Sequence, residues 1–186
     1  MRKLNVFNFI TLNGYYKGRN GDLSWHKHGG EEGEYSKEGL AANNILLFGR
    51  VTYEMMASYW PTPMAKENDP EVAEGMNKAE KIVFSKTLKK ADWSNTKVIK
   101  ENIIEEIKKL KQESGKNMTI LGSGSIVTQF ADNGLIDEYE FMLDPVALGD
   151  GTPIFKNISH NLELKLTGTR TFKSGVILLS YQSIKK

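Results

Sequence analysis

The chain has 186 residues, of which 39% are hydrophobic and 26% charged, and a net charge of +2 at pH 7. That length supports one sizeable core, so residues 1–186 are expected to form a single domain. The small net charge and the lack of a long basic run argue against nucleic acid, while the absence of Cys excludes disulfides, thiol catalysis and Cys-based zinc sites.

Leu4 to Thr11 is apolar enough for a central strand, and Asn13-Gly14 ends it. The start of the chain runs straight into this strand without the apolar core of a signal peptide, and no stretch is apolar for long enough to cross a bilayer. A cytoplasmic protein is the expectation. Residues 15–35 are rich in Gly and polar groups, yet Tyr15, Tyr16 and Trp25 argue against disorder, which predicts a loop lying over a pocket. Helical sequence resumes near Glu31 and runs to about Asn43, and Ile45 to Phe48 forms a second buried strand ended by Gly49-Arg50. Thr52 is placed to cap a short helix, Tyr53 to Tyr59, which Pro61 and Pro63 close. The polar stretch from there to Asn77 reads as a surface excursion.

Lys81 to Phe84 is a third strand, followed by Ser85-Lys86, and Val98-Ile99 a short fourth with Lys100 at its end. Ile103, Ile104, Ile107 and Leu110 fall at helical spacing and predict an amphipathic helix over 102–113. Met118 to Leu121 then runs into Gly122-Ser123-Gly124 and directly into another apolar-periodic helix, with Gly134 as its stop. After that, Tyr139 to Leu143, Leu162 to Leu166 and Val176 to Tyr181 follow one another with no helix between them. The order predicts an α/β fold of three layers, with a mixed, mostly parallel sheet whose C-terminal strands are antiparallel.

Three of the strand ends share a chemistry. Gly49-Arg50 with Thr52, Ser85-Lys86, and Gly122-Ser123-Gly124-Ser125 each follow a short apolar strand and offer backbone N–H, hydroxyl or cationic groups. A helix start after Gly122 presents unpaired N–H groups and a partial positive charge, which suits an anion; the other reading is a tight turn with no ligand. The third glycine of G-x-G-x-x-G is missing, since Val127 stands there, so an ordinary Rossmann fingerprint is disfavoured. In an open parallel sheet the C-terminal strand ends share one edge, where Arg50, Lys86 and Lys100 would converge on one anionic ligand. Three cations favour a cofactor with a 2′-phosphate, NADP over NAD.

The residues Phe48-Gly-Arg-Val-Thr-Tyr-Glu54, Val83-Phe-Ser-Lys86 and Ile120-Leu-Gly-Ser-Gly-Ser-Ile126 resemble the dihydrofolate-reductase-like superfamily. Asn133-Gly-Leu-Ile-Asp-Glu138 and Pro145-Val-Ala-Leu-Gly-Asp-Gly-Thr-Pro-Ile-Phe155 are similar, more narrowly, to the riboflavin-biosynthesis reductases that form the C-terminal half of the bacterial deaminase-reductase. The resemblance covers roughly residues 3–182. It implies an eight-stranded mixed sheet, NADPH as hydride donor and a homodimer. On that resemblance Gly49, Arg50 and Thr52 would grip cofactor phosphates, and Ser85 and Lys86 would meet the 2′-phosphate with Lys100 on the adenine side. Gly122, Ser123, Gly124, Ser125 and Ile126 would lie along the pyrophosphate, and Phe9, Ile10 and Thr11 would border the nicotinamide. The chain departs from the pattern twice. Leu12-Asn13-Gly14 replaces Leu-Asp-Gly, and no Asp stands where folate reductases hold their substrate, the nearest acids being Glu31, Glu32 and Glu34.

Hydride transfer needs alignment, exclusion of water and a proton source. Asp22 and Glu34 are the candidate proton donors, and Asn13 and Trp25 the candidate substrate contacts, Trp25 by stacking on a flat ring. His26 and His28 have poor metal-ligand spacing and His160 is the only other His, so no catalytic metal is expected. The expected activity is NADPH-dependent reduction of a small planar heterocycle, resembling 5-amino-6-(5-phosphoribosylamino)uracil reductase. The alternatives are reduction of a pterin or dihydrofolate, or nucleotide binding without turnover.

Overall fold

The computed structural model describes residues 1–27 and 29–184. His28, discounted above as a metal ligand, lies outside the described residues. The elements in chain order are β1 (Leu4–Thr11), β2 (Tyr15–Gly18), α1 (Gly30–Ala41), β3 (Ile45–Gly49), α2 (Arg50–Tyr59), α3 (Pro63–Asn68), α4 (Pro70–Lys78), β4 (Lys81–Phe84), β5 (Thr96–Ile99), α5 (Ile103–Gln112), β6 (Met118–Leu121), α6 (Gly124–Asp132), β7 (Glu138–Asp144), β8 (Gly151–Pro153), β9 (Leu164–Thr171) and β10 (Ile177–Ser183). Eight of the strands form one sheet in the order β5-β4-β3-β6-β1-β7-β10-β9. The pairings from β5 through to β7 are all parallel, and β10 runs antiparallel to both β7 and β9.

Strand β3 is apolar throughout because it is covered on both faces. In β3, Ile45 and Leu47 join a cluster with Ile82, Phe84, Ile107, Ile126 and Phe130 under α5 and α6. Leu46 and Phe48 alternate to the other face and pack with Tyr53, Val72, Met76 and Trp93 under α2 and α4. Leu47 and Phe48 are completely buried, and each such side chain is worth roughly 1.5–3 kcal/mol. This double cover produces the three layers.

Four local expectations change. Thr52 does not cap α2: the helix starts at Arg50 with Gly49 as its N-cap, and Thr52 sits inside the first turn. The excursion to Asn77 is two short helices, each with Pro at its start and a side-chain cap, Thr62 accepting from Ala65 N and Asp69 from Val72 N. The segment from Tyr15 is no simple loop, since β2 pairs antiparallel with β8 as a separate two-stranded ribbon. The next-to-last strand begins at Leu164 rather than Leu162.

Candidate functional site

Parallel strands end on one side of a sheet, so β5, β4, β3, β6 and β1 deliver their following turns to a single rim. Neighbouring strands stand about 4.8 Å apart, so the turns after β4, β3 and β6 span roughly 10 Å. The rim faces a cavity of about 1410 Å³. That exceeds the roughly 300–1,000 Å³ typical of a site for one small ligand, and leaves room for two molecules side by side. Arg50, Lys86, Lys100 and Ser123 all line it. Three loop tips far apart in sequence therefore meet along one wall.

The turns after β3 and β6 are locked together. Gly49 N–H donates to Ser123 Oγ at 2.8 Å, and Ser123 N–H donates to Thr52 Oγ1 at 3.1 Å. Gly122 and Ser123 both take left-handed backbone angles, φ 58° and 60°, and a Cβ on Gly122 would stand 3.0 Å from the Thr52 methyl. Only glycine suits that approach. The sharp turn puts the N–H groups of Gly124 and Ser125 in the first turn of α6, beyond reach of the helix's own carbonyls. Ile126 extends the same wall. Around this end the cations are exposed: Arg50 pairs with Glu54 at 2.7 Å, while Lys86 and Lys100 stand at the ends of β4 and β5. The Ser85 hydroxyl lines the cavity and also accepts from the N–H groups of Thr87 and Leu88, shaping its own turn.

The other end of the cavity is aromatic and acidic, lined by Phe9, Trp25, His26, Glu32, Tyr35 and Glu140. Glu32 is buried, and Ser174 Oγ donates to it from the turn between β9 and β10; Lys173 N–H donates to Glu31 at 3.1 Å from the same turn. Tyr35 OH donates to Glu140 at 2.8 Å, and burial first, then this carboxylate, raises the phenol above its ordinary range. His26 stacks on Phe9 with ring centroids 3.7 Å apart, and its Nδ1 lies 3.0 and 3.1 Å from the two Asp144 oxygens.

The carboxyls of Asp22 and Glu34 do not line this cavity. Asp22 accepts from the backbone N–H and then the hydroxyl of Ser24, which hold its carboxyl below the usual range, opposite to what a proton donor needs. Its carbonyl accepts from Trp25 Nε1 at 3.2 Å, so Asp22 builds the turn that hands Trp25 to the cavity. Glu34 is turned outward on α1 and pairs with Lys37 at 3.0 Å. Asn13 staples two segments instead of lining the wall, donating to Leu148 O and accepting from Thr11 Oγ1 and Leu148 N. Ile10 and Thr11 are buried behind Phe9, which does line the cavity. Glu32 was named only as one of three nearby acids, His26 was weighed only as a metal ligand, and Asp144 was given no place in the site. A helix that turns Tyr35 inward must also turn in Glu32, three residues earlier, so that signal was present; the pairing of His26 with Asp144, 118 residues apart, had none.

A family model described as the RibD C-terminal domain matches residues 2–178. The uncharacterized protein YyaP of Bacillus subtilis is 33% identical over 172 residues, covering 92% of this chain and 90% of that protein. Among solved structures, the diaminohydroxyphosphoribosylaminopyrimidine deaminase/5-amino-6-(5-phosphoribosylamino)uracil reductase of Thermotoga maritima aligns with a TM-score of 0.69 at 16% identity, over 98% of this chain and 57% of that one. Dihydrofolate reductase of Enterococcus faecalis, complexed with NADP(H), aligns with a TM-score of 0.65 at 19% identity, over 98% and 97%. The fold is dihydrofolate-reductase-like.

Proposed function

The chain belongs to the RibD C-terminal domain family, and on that premise we propose that it is an NADPH-dependent reductase of a small planar heterocycle, acting on a C=N or C=O bond. The observation that carries the reading is the single two-ended cavity, cationic and N–H-rich at one end and aromatic and acidic at the other. The first end fits a phosphorylated dinucleotide by its donor set. Backbone N–H groups at Gly124 and Ser125 suit a pyrophosphate, and Lys86 with Arg50 suits the extra charge of a 2′-phosphate. NADPH supplies a hydride when bound.

The chain's own residues hold, orient and shield. The rim of fixed turns holds the phosphates, and Trp25 offers a flat face against which a planar ring can stack. Glu32 and Glu140 suit a heterocycle bearing N–H donors, because carboxyl oxygens accept hydrogen bonds. A cytoplasmic homodimer completes the proposal, and sedimentation equilibrium reads its oligomeric state.

Addition of NADPH should quench Trp fluorescence, since Trp25 and Trp60 line the cavity. Oxidation of that NADPH, followed by its absorbance, should then proceed with 5-amino-6-(5-phosphoribosylamino)uracil or with dihydrofolate. Quenching without oxidation would reduce the proposal to a binding protein. Lys86→Ala should weaken NADPH by about 10- to 100-fold and NADH by less than about twofold, the loss expected for one charge-assisted phosphate contact. Equal losses for the two nucleotides would remove Lys86 from the 2′-phosphate.

A further inference from the structure

Beside its acidic end the cavity is walled by two helices, α1 and α2. Leu40 of α1 and Met56 of α2 pack against the same buried cluster, so the two helices flank one stretch of the sheet. The α1 side is small and polar: Gly33, Ser36 and Gly39 line the cavity, and a Cβ on either glycine would meet nothing within 4 Å. The α2 side is apolar. Val51, Met55 and Tyr59 recur at every fourth position, share one stripe of the helix and all line the cavity, with Trp60 next to them. Val51 is 61% exposed and Met55 40%. Apolar side chains left open in a row on a cavity wall mark a surface that a ligand covers.

Charge divides the cavity in the same way. The cations lining it among the described residues are Lys17, Arg50, Lys86, Lys100 and Lys156. Arg50, Lys86 and Lys100 belong to the rim of turns. Lys17 stands 5.4 Å over the Tyr16 ring, which lies on Gly124 at the start of α6, and the Lys156 carbonyl accepts from Thr128 of α6. Arg50 heads α2 but is turned to Glu54, off the Val51 stripe. Lys37 of α1 pairs with Glu34 and Glu71, and Arg170 stands over the Tyr35 and Phe172 rings; neither lines the cavity. Carboxyls do line it here, those of Glu32, Asp69 and Glu140.

Resting on the reductase reading, we infer that the substrate carries an uncharged, apolar substituent laid against the Val51–Met55–Tyr59 stripe, and that the site discriminates against a phosphate or carboxylate there. An anion between these helices would meet no cation, would be repelled by any ionised carboxyl, and would trade its water for apolar side chains. An apolar substituent gains from the same wall, because it takes Val51 and Met55 out of water as it leaves water itself. 5-Amino-6-(5-phosphoribosylamino)uracil ends in a phosphate and dihydrofolate in two carboxylates, so each carries a tail that this part of the cavity disfavours.

Each of those compounds is to be compared with a neutral counterpart, 5-amino-6-ribosylaminouracil for the first and the dimethyl ester of dihydrofolate for the second, by oxidation of NADPH with the wild-type chain. In a pair that is reduced, the neutral member should show kcat/KM at least about tenfold higher, as the juxtaposition of like charges costs at least that much. Met55→Arg puts a cation on the stripe at a position outside the packed clusters. It should raise kcat/KM for the anionic member by about tenfold and give the neutral member no gain. An anionic member reduced as well as its neutral counterpart, or no gain for it in Met55→Arg, overturns the inference and leaves the reductase reading intact. A wild-type chain that oxidises NADPH with none of the four compounds fails at the earlier step, and the reductase reading and this inference fall together.

Discussion

Ser123 carries more of the site's rigidity than its size suggests. It takes a left-handed backbone conformation that costs a non-glycine residue about 1 kcal/mol. Its hydroxyl offsets that by accepting from Gly49 N–H and donating to Leu121 O at 3.1 Å. Ser123→Ala should orphan the buried Gly49 N–H and destabilise the protein by about 1–3 kcal/mol in urea denaturation. NADPH quenching should weaken in the same variant, because both turns it ties belong to the rim. At this scale the cationic and glycine-rich positions were legible because each follows an apolar strand, a pattern visible in the chain itself. The acids were legible only as a set. Choosing Glu32 over Glu34 needs the phase of α1, which Tyr35 reveals once the helix is known to start at Gly30. The His26–Asp144 contact depends on how two distant segments are folded together, and one chain with no partner information does not encode that visibly.

The elements were legible where apolar runs were unbroken, as at β3, β4 and β6, and illegible where pairing is short and polar. The β2–β8 ribbon is such a case, with Lys17 paired to Thr152 and Gly18 to Gly151. It lays Tyr16 over the start of α6, so closely that a Cβ on Gly124 would stand 2.8 Å from the ring. The ribbon depends on Gly151, where a Cβ would lie 2.5 Å from the Lys17 carbonyl oxygen and 3.1 Å from the Tyr15 ring. A backbone oxygen cannot swing aside as a side chain can. Gly151→Ala should therefore part the ribbon at a cost of about 1–3 kcal/mol. Hydrogen exchange should report it as faster exchange at Lys17 and Gly18, with β1 and β6 unchanged. Uniform acceleration across the sheet would show that the ribbon is not a separate unit.

For the molecule as a whole, the balance of charge against burial sets how stability follows pH. Lys81 is 1% exposed, with Nζ donating to the carbonyls of Asn77 and Ala79 at 3.2 and 2.6 Å and standing 4.5 Å over the Trp93 ring. Burial pushes its pKa down from 10.5 to about 8. Between those two values the unfolded chain holds a proton that the folded one has released, so stability rises with pH across that window, by on the order of 2–3 kcal/mol. Tyr139 works in the opposite sense. Burial raises it from 10.0 to about 12, so the unfolded chain loses its proton first and stability falls above pH 10. Urea midpoints should crest around pH 10, and Lys81→Met should flatten the rising limb and leave the falling one; an unchanged rise in that variant would clear Lys81 of the effect. The last consequence comes from the turn between β9 and β10, which reaches across to the start of α1 and touches Glu31 and Glu32. That wall is assembled from remote stretches, while the opposite one hangs directly on the sheet. On the proposed reading, substitutions in the β9–β10 turn should change which compound is held at that end of the cavity and leave the rim of turns at the other end as it is.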